Sequence, residues 1–344
     1  MANRVITLSG QVISDLISDT PGIIIQTGEY GQTVFAEIPS ITGNNSDGVW
    51  DSMNMGSPLF GVDNYDNYEI DVLIDGQSVL NGSIKNVSAN NKTRLAEIQV
   101  LTKLQKALQI GCIYTSGEEP ETPAMAALNI LDLYNIPYDV SSFANSNASY
   151  VADDVYIMVN LLTPEMTVLS VFQELCEKGL ARIYDVNGVV YFDAFQVDYA
   201  PESMYTFSDR LTNLDGITIY DEPNPQLLEK EQILGYTVIT AAGTVSDGPV
   251  DNNKGKTIDG GPDRPITIKD TAAGTSIGLR WVNYSQYRQN KIILGVPSRI
   301  ANFLPLGTAV TIDYTSGKWL ETLGTITGLD RSNPEMTLMT VVTV

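Results

Sequence analysis

Three groups of residues have the types and spacing to do chemistry. Gly255-Lys256-Thr257 ends like a loop that cradles phosphates on backbone amides, with lysine on the phosphates and threonine on magnesium. The first glycine of such a loop would stand at position 250, which is Val250, and Gly248 lies too far back. The strand before it and the helix after it are missing from the pattern as well. Asp247, Asp251, Asn253 and Asp259 offer the hard oxygen ligands that calcium takes. An EF-hand loop counted from Asp251 puts Lys256 at its glycine position and Pro262 at its glutamate position, so these acids read as solvated loop residues. Glu118, Glu119 and Glu121 come directly before a helix start at Thr122-Pro123, where carboxylates complement the positive end of the helix dipole. Glycoside cleavage needs two acids at fixed separation across a cleft, and no such pair stands out.

What the chain lacks is more telling. It contains no histidine, which removes the usual general base, the Ser–His and Cys–His pairs and the commonest metal ligand together. Cys112 and Cys176 are the only cysteines, too few for a zinc site, and Cys176 falls on the apolar stripe of an expected helix as a buried thiol. No catalytic, cofactor-binding or metal residue is therefore assigned, and no cofactor is expected. Seventeen tyrosines and Trp50, Trp281 and Trp319 are scattered along strands, which points to core and interface packing more than to a sugar-binding surface.

The net charge is −21, with −6 on residues 1–110, −12 on 111–205 and −3 on 206–344. No segment is basic, so affinity for nucleic acid through phosphate neutralisation is not expected. An acidic surface does suit a passage for DNA that must not stick, and equally it confers solubility. No apolar run approaches the ~18 residues of a membrane span, and the N-terminus has no continuous apolar stretch of a secretory signal. Synthesis in a cytoplasm is the expectation.

The elements read as mainly β with an α+β insertion. Val5–Leu8, Gly22–Thr27, Thr33–Ile38 and Tyr68–Ile74 are short, β-branched runs separated by turn formers. Asp75-Gly76 supplies a hairpin turn to a returning strand Ser78–Ile84, Arg94–Val100 follows, and Thr102 caps a short helix through Leu108. The middle contains a helix from Pro123 to Tyr134 and another that begins at Thr163-Pro164-Glu165 and stops at Gly179. Val168, Phe172, Leu175 and Cys176 form the second helix's buried face. Ala181–Val186 and Val189–Phe195 flank Asn187-Gly188 as a hairpin. Strands resume near Met204 with Ile217–Tyr220 and Gln232–Thr240. Residues 243–264 are rich in Gly, Asp, Asn and Pro and read as a linker or long loop. Thr308–Tyr314, a turn at Ser316-Gly317 and Met336–Val344 close the chain in β structure.

In this order the parts resemble the tail and baseplate hub proteins of long-tailed bacteriophages. The segment Glu69–Ile84, with DVLIDGQSVLNGSI, is similar to that family's hairpin in its first barrel. The run TPEMTVLSVFQELCEKGLARIYDVNGVVYFDAF, Thr163–Phe195, is similar to its inserted helix and hairpin. LGTAVTIDYTSGKWLETLGTI, Leu306–Ile326, is similar to its second barrel. The resemblance implies two tail-tube-like β-barrels: one from residues 1–105 with 205–242, the other from 265–344, with an inserted α+β domain at 106–204. It further implies a homotrimeric, pseudo-hexameric ring at the distal end of the virion tail. That ring would join the tail tube or distal tail protein to tip, spike or fibre proteins and let DNA pass, without catalysis and without stable membrane insertion. Some of Arg280, Arg288, Lys291 and Arg299 are expected to meet acids of a neighbouring chain. A distal-tail adaptor or other baseplate ring subunit, a receptor- or glycan-binding tip protein and a carboxylate-based wall hydrolase are the alternatives.

Overall fold

The computed structural model describes residues 4–19, 24–34, 41–61, 68–74, 76–161, 165–186, 188–196, 202–208, 226–228, 232–248, 254–286, 289–314, 319–331, 333 and 335–343. Among these, the helices in chain order are α1 (Lys103–Leu108), α2 (Pro123–Leu133), α3 (Val140–Ala152), α4 (Val168–Gly179), α5 (Thr271–Gln286) and α6 (Ser298–Ala301). Strands dominate the rest, so the mainly β reading with α+β content holds. Ile217–Tyr220, Thr163-Pro164, Asn187 and Ser316-Gly317 lie outside the described residues.

Helix starts follow the hydroxyl caps. Thr102 accepts from the Gln105 amide while Gln105 returns a bond to the Thr102 amide, a complete capping box. Thr122 caps α2 with Pro123 in the first turn, as the sequence predicts. The cap of α4 is Thr167, four residues beyond the expected Thr163. The stop of α4 differs too: Gly179 stays helical and Leu180 takes the left-handed position at φ 50°. Gly179 is needed for space instead, since a Cβ there would press on Pro123 at 3.1 Å and into the Tyr150 hydroxyl at 2.5 Å.

Among the described residues, five sheets organise the fold. An all-antiparallel sheet of seven strands runs Gln11–Val12, Arg4–Leu8, Glu69–Ile74, Gln77–Asn90, Leu95–Thr102, Ile41–Asn44 and Ile17–Asp19 in spatial order. A second sheet of seven strands is built on Ala309–Tyr314, Trp319–Asp330, Met336–Thr343 and Gln289–Pro297. Tyr205–Ser208 and Gln226–Leu228 form its edges, and Ile24–Gln26 pairs with the far end of Trp319–Asp330. These two sheets share one core that includes Ile6, Ile70, Ile98, Leu294, Ile312 and Val341.

A separate core collects α1 to α5, the hairpin Ala181–Val186/Val189–Ala194 and the strands around Gly235–Thr240. Its membership differs from the sequence expectation in two places. Gly243–Asp247 and Gly255–Asp259, read as linker, are strands on either side of Gly235–Thr240. Their polar composition reflects edge positions: Gly243–Asp247 is almost wholly exposed, so burial left no hydrophobic pattern to read. The second difference is α5, which falls in a region read as β. It lies against Gly235–Thr240, and a Cβ on Gly278 would overlap the Tyr236 ring. The glycines that look like helix breakers at 274 and 278 are what allow the helix to approach the sheet.

The strand Ala181–Val186 joins the two cores. Ala181 and Ile183 enter the core of the α+β part, and Tyr184, on the other face, enters the core between the two large sheets. Arg182 is 7% exposed on that second face. Its Nε donates to the Asp193 carboxylate at 2.7 Å, a terminal nitrogen stands 2.6 Å from the same oxygen, and the other donates to Thr27 Oγ1 at 3.1 Å. The guanidinium carbon sits 4.6 Å from the centre of the Tyr30 ring, whose hydroxyl donates to Asp193 at 3.2 Å. Burial alone would push Arg182 down, but Tyr30 and Asp193 reverse this and hold it above its ordinary value.

Asp193→Asn leaves the Arg182 charge buried and should cost about 3 kcal/mol, near the low end for a broken buried pair because Asp193 is partly solvated. Gly278→Ala should cost about 1–3 kcal/mol through overpacking against Tyr236. Urea denaturation of each variant measures both losses, and an unchanged midpoint contradicts the corresponding contact.

Candidate assembly surface

Among the candidate residues that the structure describes, Lys256, Asp259 and Glu121 are engaged in structural contacts. Lys256 donates to the Glu177 carboxylate at 3.0 Å and lies 4.4 Å over the Trp281 ring, in the middle of a strand instead of a phosphate loop. Asp259 is bound by Arg264, which holds its carboxyl below the usual range. Asp247 and Asp259 lie on strands on opposite sides of Gly235–Thr240, and Asp251 and Asn253 fall outside the described residues. No group of three or more acids, cysteines or histidines is placed to hold a metal among the described residues. Cys112 and Cys176 are free and buried, and burial pushes both thiols up.

The acidic run before α2 divides. Glu118 and Glu119 are exposed, whereas Glu121 is an acceptor hub for the Tyr114 hydroxyl at 3.0 Å, the Asn129 amide at 2.9 Å and the Ser116 hydroxyl. A carboxylate satisfied by three donors fastens the segment before α2 to the helix itself. Burial, with the Glu121 charge adding to it and Asn129 opposing, pushes Tyr114 up to about 12.

Of the cations expected at a subunit contact, Arg280 is unavailable. It is 5% exposed, its Nε donates to Asp153 at 2.8 Å, and its terminal nitrogens bond Ser149 and the Phe195 carbonyl. It lies over the Tyr150 ring and ties α5 to α3. Arg288 falls outside the described residues, Lys291 is half-buried, and Arg299 is exposed. Trp50 and Trp281 are core residues, in line with the packing expected of them.

The surface feature that stands out was not singled out in the sequence. Residues 45–61 form a closed loop between Ile41–Asn44 and Glu69–Ile74, fixed at both ends. Asn45 is buried, accepts from the Trp50 amide at 2.9 Å and donates to Asn91 at 3.0 Å. Trp50 inserts beside Gly43, where a Cβ would collide with the indole. Asn54 donates to the carbonyls of Asp47 and Gly48 and accepts from the Gly56 amide. The Gly61 amide closes on the Ser52 carbonyl at 3.1 Å, and Leu59 is fully buried. Held by these bonds, the loop presents Met53 and Met55, each 84% exposed, and Phe60, 52% exposed. Leu95, opposite Asn44 at the same end of the sheet, is 43% exposed. Methionine and phenylalanine are enriched in interface cores, and a preformed loop loses little entropy when a partner covers it. A legible signal was available in WDSMNMGSPLF, where large apolar residues sit among turn formers.

Comparison with solved structures bears on what this surface serves. The chain matches a tail protein from Neisseria meningitidis MC58 (TM-score 0.53, 11% identity), over 99% of this chain and 96% of that one. The 43 kDa tail protein of prophage MuSo2 from Shewanella oneidensis matches equally well (TM-score 0.53, 12% identity; 99% and 97% covered). Prophage tail protein gp18 from Listeria monocytogenes EGD-e follows (TM-score 0.51, 10% identity; 97% and 90% covered). The chain has the fold of phage tail proteins. No protein-family model matches it, and no curated protein does. Within the tail-protein fold, the apolar loop sits at the tip of the first large sheet, beside the turn joining Gln77–Asn90 to Leu95–Thr102. No described helix is long and apolar enough to cross a membrane.

Tyr114 and Tyr284 are each pushed up to about 12, chiefly by burial. An unfolded tyrosine ionises near 10, so both groups favour the folded state fully below that pH and lose this contribution as pH climbs through 12. The urea midpoint should fall between pH 10 and 12, tracked together with tyrosinate absorbance, and a flat profile there would contradict the burial of both hydroxyls.

Proposed function

We propose that the chain is a structural subunit of a phage tail, the hub at its distal end, and that it works by assembly without catalysis. Three copies form a pseudo-hexameric ring that joins the tail tube or distal tail protein to tip, spike or fibre proteins. DNA passes through the centre without being bound. The observation that carries the reading is the ordered loop at 45–61, which holds Met53, Met55 and Phe60 in water on a chain with the tail-protein fold. A monomer gains nothing from fixing three large apolar side chains in solvent, whereas a subunit contact does.

The sheet edges support the same reading. In the first large sheet the edge strands are Gln11–Val12 and Ile17–Asp19, and in the second they are Tyr205–Ser208 and Gln226–Leu228. All are short, which limits indiscriminate pairing yet leaves backbone groups for a defined neighbour. Net charge of −21 per chain keeps unassembled copies apart and makes a channel wall that repels DNA.

Mass photometry of the purified chain should find a trimer. The triple variant Met53→Ser, Met55→Ser, Phe60→Ser should be monomeric, with folding stability within about 0.5 kcal/mol of the parent, as exposed substitutions usually are. A variant that assembles normally would remove the loop from the interface, and a parent that stays monomeric at every concentration would remove the ring.

A further inference from the structure

Four long cationic side chains are buried among the described residues: Lys178, Arg182, Arg280 and Arg331. Three of them meet an acid of the same chain. Lys178 pairs with Glu174, Arg182 with Asp193 and Arg280 with Asp153. Arg331 is 6% exposed, yet it makes no ion pair among the described residues, and its Nε is enclosed without an acceptor. Burial pushes its guanidinium below the ordinary value, and no acid opposes the shift. In a chain with 41 acids and 20 bases, an unmatched buried cation is the anomaly. Leaving one partner of a buried pair unmade is among the costlier electrostatic arrangements in a protein.

The position of Arg331 gives this a direction. It follows Asp330, the last residue of Trp319–Asp330, at the end of the second large sheet where Met336–Thr343 begins and Gln289–Pro297 finishes. The Arg4 guanidinium donates to the Arg331 carbonyl at 3.4 Å, so a second arginine stands at the same spot. Helix α6 caps this end, with the Ser298 amide bonded to the Glu335 carbonyl. Beyond it Arg299 is exposed, and Phe303 is 71% exposed. Asp330 and Glu335 are close in sequence, but neither bonds the Arg331 side chain among the described residues. Unlike Nε, the terminal nitrogens of Arg331 are not among the enclosed atoms without a partner. A guanidinium whose stem is fixed by packing is the form of a preorganised carboxylate fork.

We infer that Arg331 is a socket for a carboxylate of a second copy of this chain, so that a guanidinium with no acid partner among the described residues gains one on assembly. The occupant is a second copy because each chain brings a large surplus of acid, concentrated where residues 111–205 hold 14 acids against 2 bases. The inference rests on the assembly reading above and adds the polar partner to its apolar loop. An ion pair of this kind sets orientation as well as affinity, since a wrongly turned neighbour leaves the guanidinium uncovered.

The test uses the full chain with Arg331→Met, which keeps volume and removes charge, and Arg331→Lys, which keeps charge and removes the fork. Self-association is followed by mass photometry over a sodium chloride series, and monomer stability by urea denaturation at high dilution. We expect Arg331→Met to leave the dilute-chain midpoint unchanged or raised, weaken association about a hundredfold and abolish most of its salt dependence. Arg331→Lys should weaken association less and retain the salt dependence. A lowered midpoint with parent-like association in Arg331→Met would overturn the socket, because the side chain would then serve the monomer alone. Parent-like association in both variants would overturn the socket while leaving the ring intact. A parent that never self-associates, or that binds only a different tail protein, would overturn the second copy as occupant and the homomeric ring together.

Discussion

The structure turns on one strand whose two faces belong to different cores. Ala181–Val186 is buried nearly throughout, with Ile183 packed among the helices and Tyr184 packed between the large sheets. Strand alternation makes this sharing unavoidable once both faces are covered. Arg182 is then forced into a low-dielectric junction, and its charge is tolerable only because Asp193, Thr27 and the Tyr30 ring surround it. Those partners come from two places: Asp193 from the facing strand of the hairpin, and Thr27 and Tyr30 from the segment that leaves the second large sheet. Gln32–Val34 then continues as a parallel neighbour of Ala181–Val186. One guanidinium thus pins the crossing of the chain from one core to the other.

The same economy explains why the α+β part reaches beyond the central hundred residues. Its core needs the strand Gly235–Thr240 and helix α5 to cover the aromatic group of Tyr30, Phe195, Trp281 and Tyr284, whose rings meet edge to face. Arg280 then anchors α5 to α3 from inside, which accounts for a cation that sequence alone would place at a subunit contact. Among the described residues, the buried Lys178, Arg182 and Arg280 are structural fasteners, each matched by an acid, and that regularity makes Arg331, which has no such match there, meaningful. The apolar loop and the arginine end occupy different sites on the two large sheets. In the assembly proposed above, two different sites of this kind would meet head to tail, the relation that closes into rings when the rotation permits.

Much was legible in the sequence because local chemistry decided it. Hydroxyl caps at Thr102 and Thr122, period-two alternation in Met336–Thr343 and the turn glycines at 76 and 188 act over a few residues and need no tertiary partner. The absence of histidine and the missing glycine at 250 likewise removed histidine-based and P-loop chemistry from the reading before any fold was known. The buried face of α4, with Val168, Phe172, Leu175 and Cys176, followed from spacing alone.

Only the tertiary structure decided where polar and glycine-rich segments go, because their signal lies in what they touch. Gly243–Asp247 is a strand on account of its neighbour's register, and α5 is a helix whose glycines answer the Tyr236 ring. Gly179 is required by Tyr150 and Pro123, not by the positive φ that passes to Leu180. Arg280 turned inward and Arg331 stayed unmatched for the same reason: a charge's role depends on which acids the fold brings within reach, and spacing along the chain carries none of that. The sequence by itself determined a β-rich, acidic chain without the usual catalytic groups. The fold determined which of its side chains hold the two cores together and which face outward.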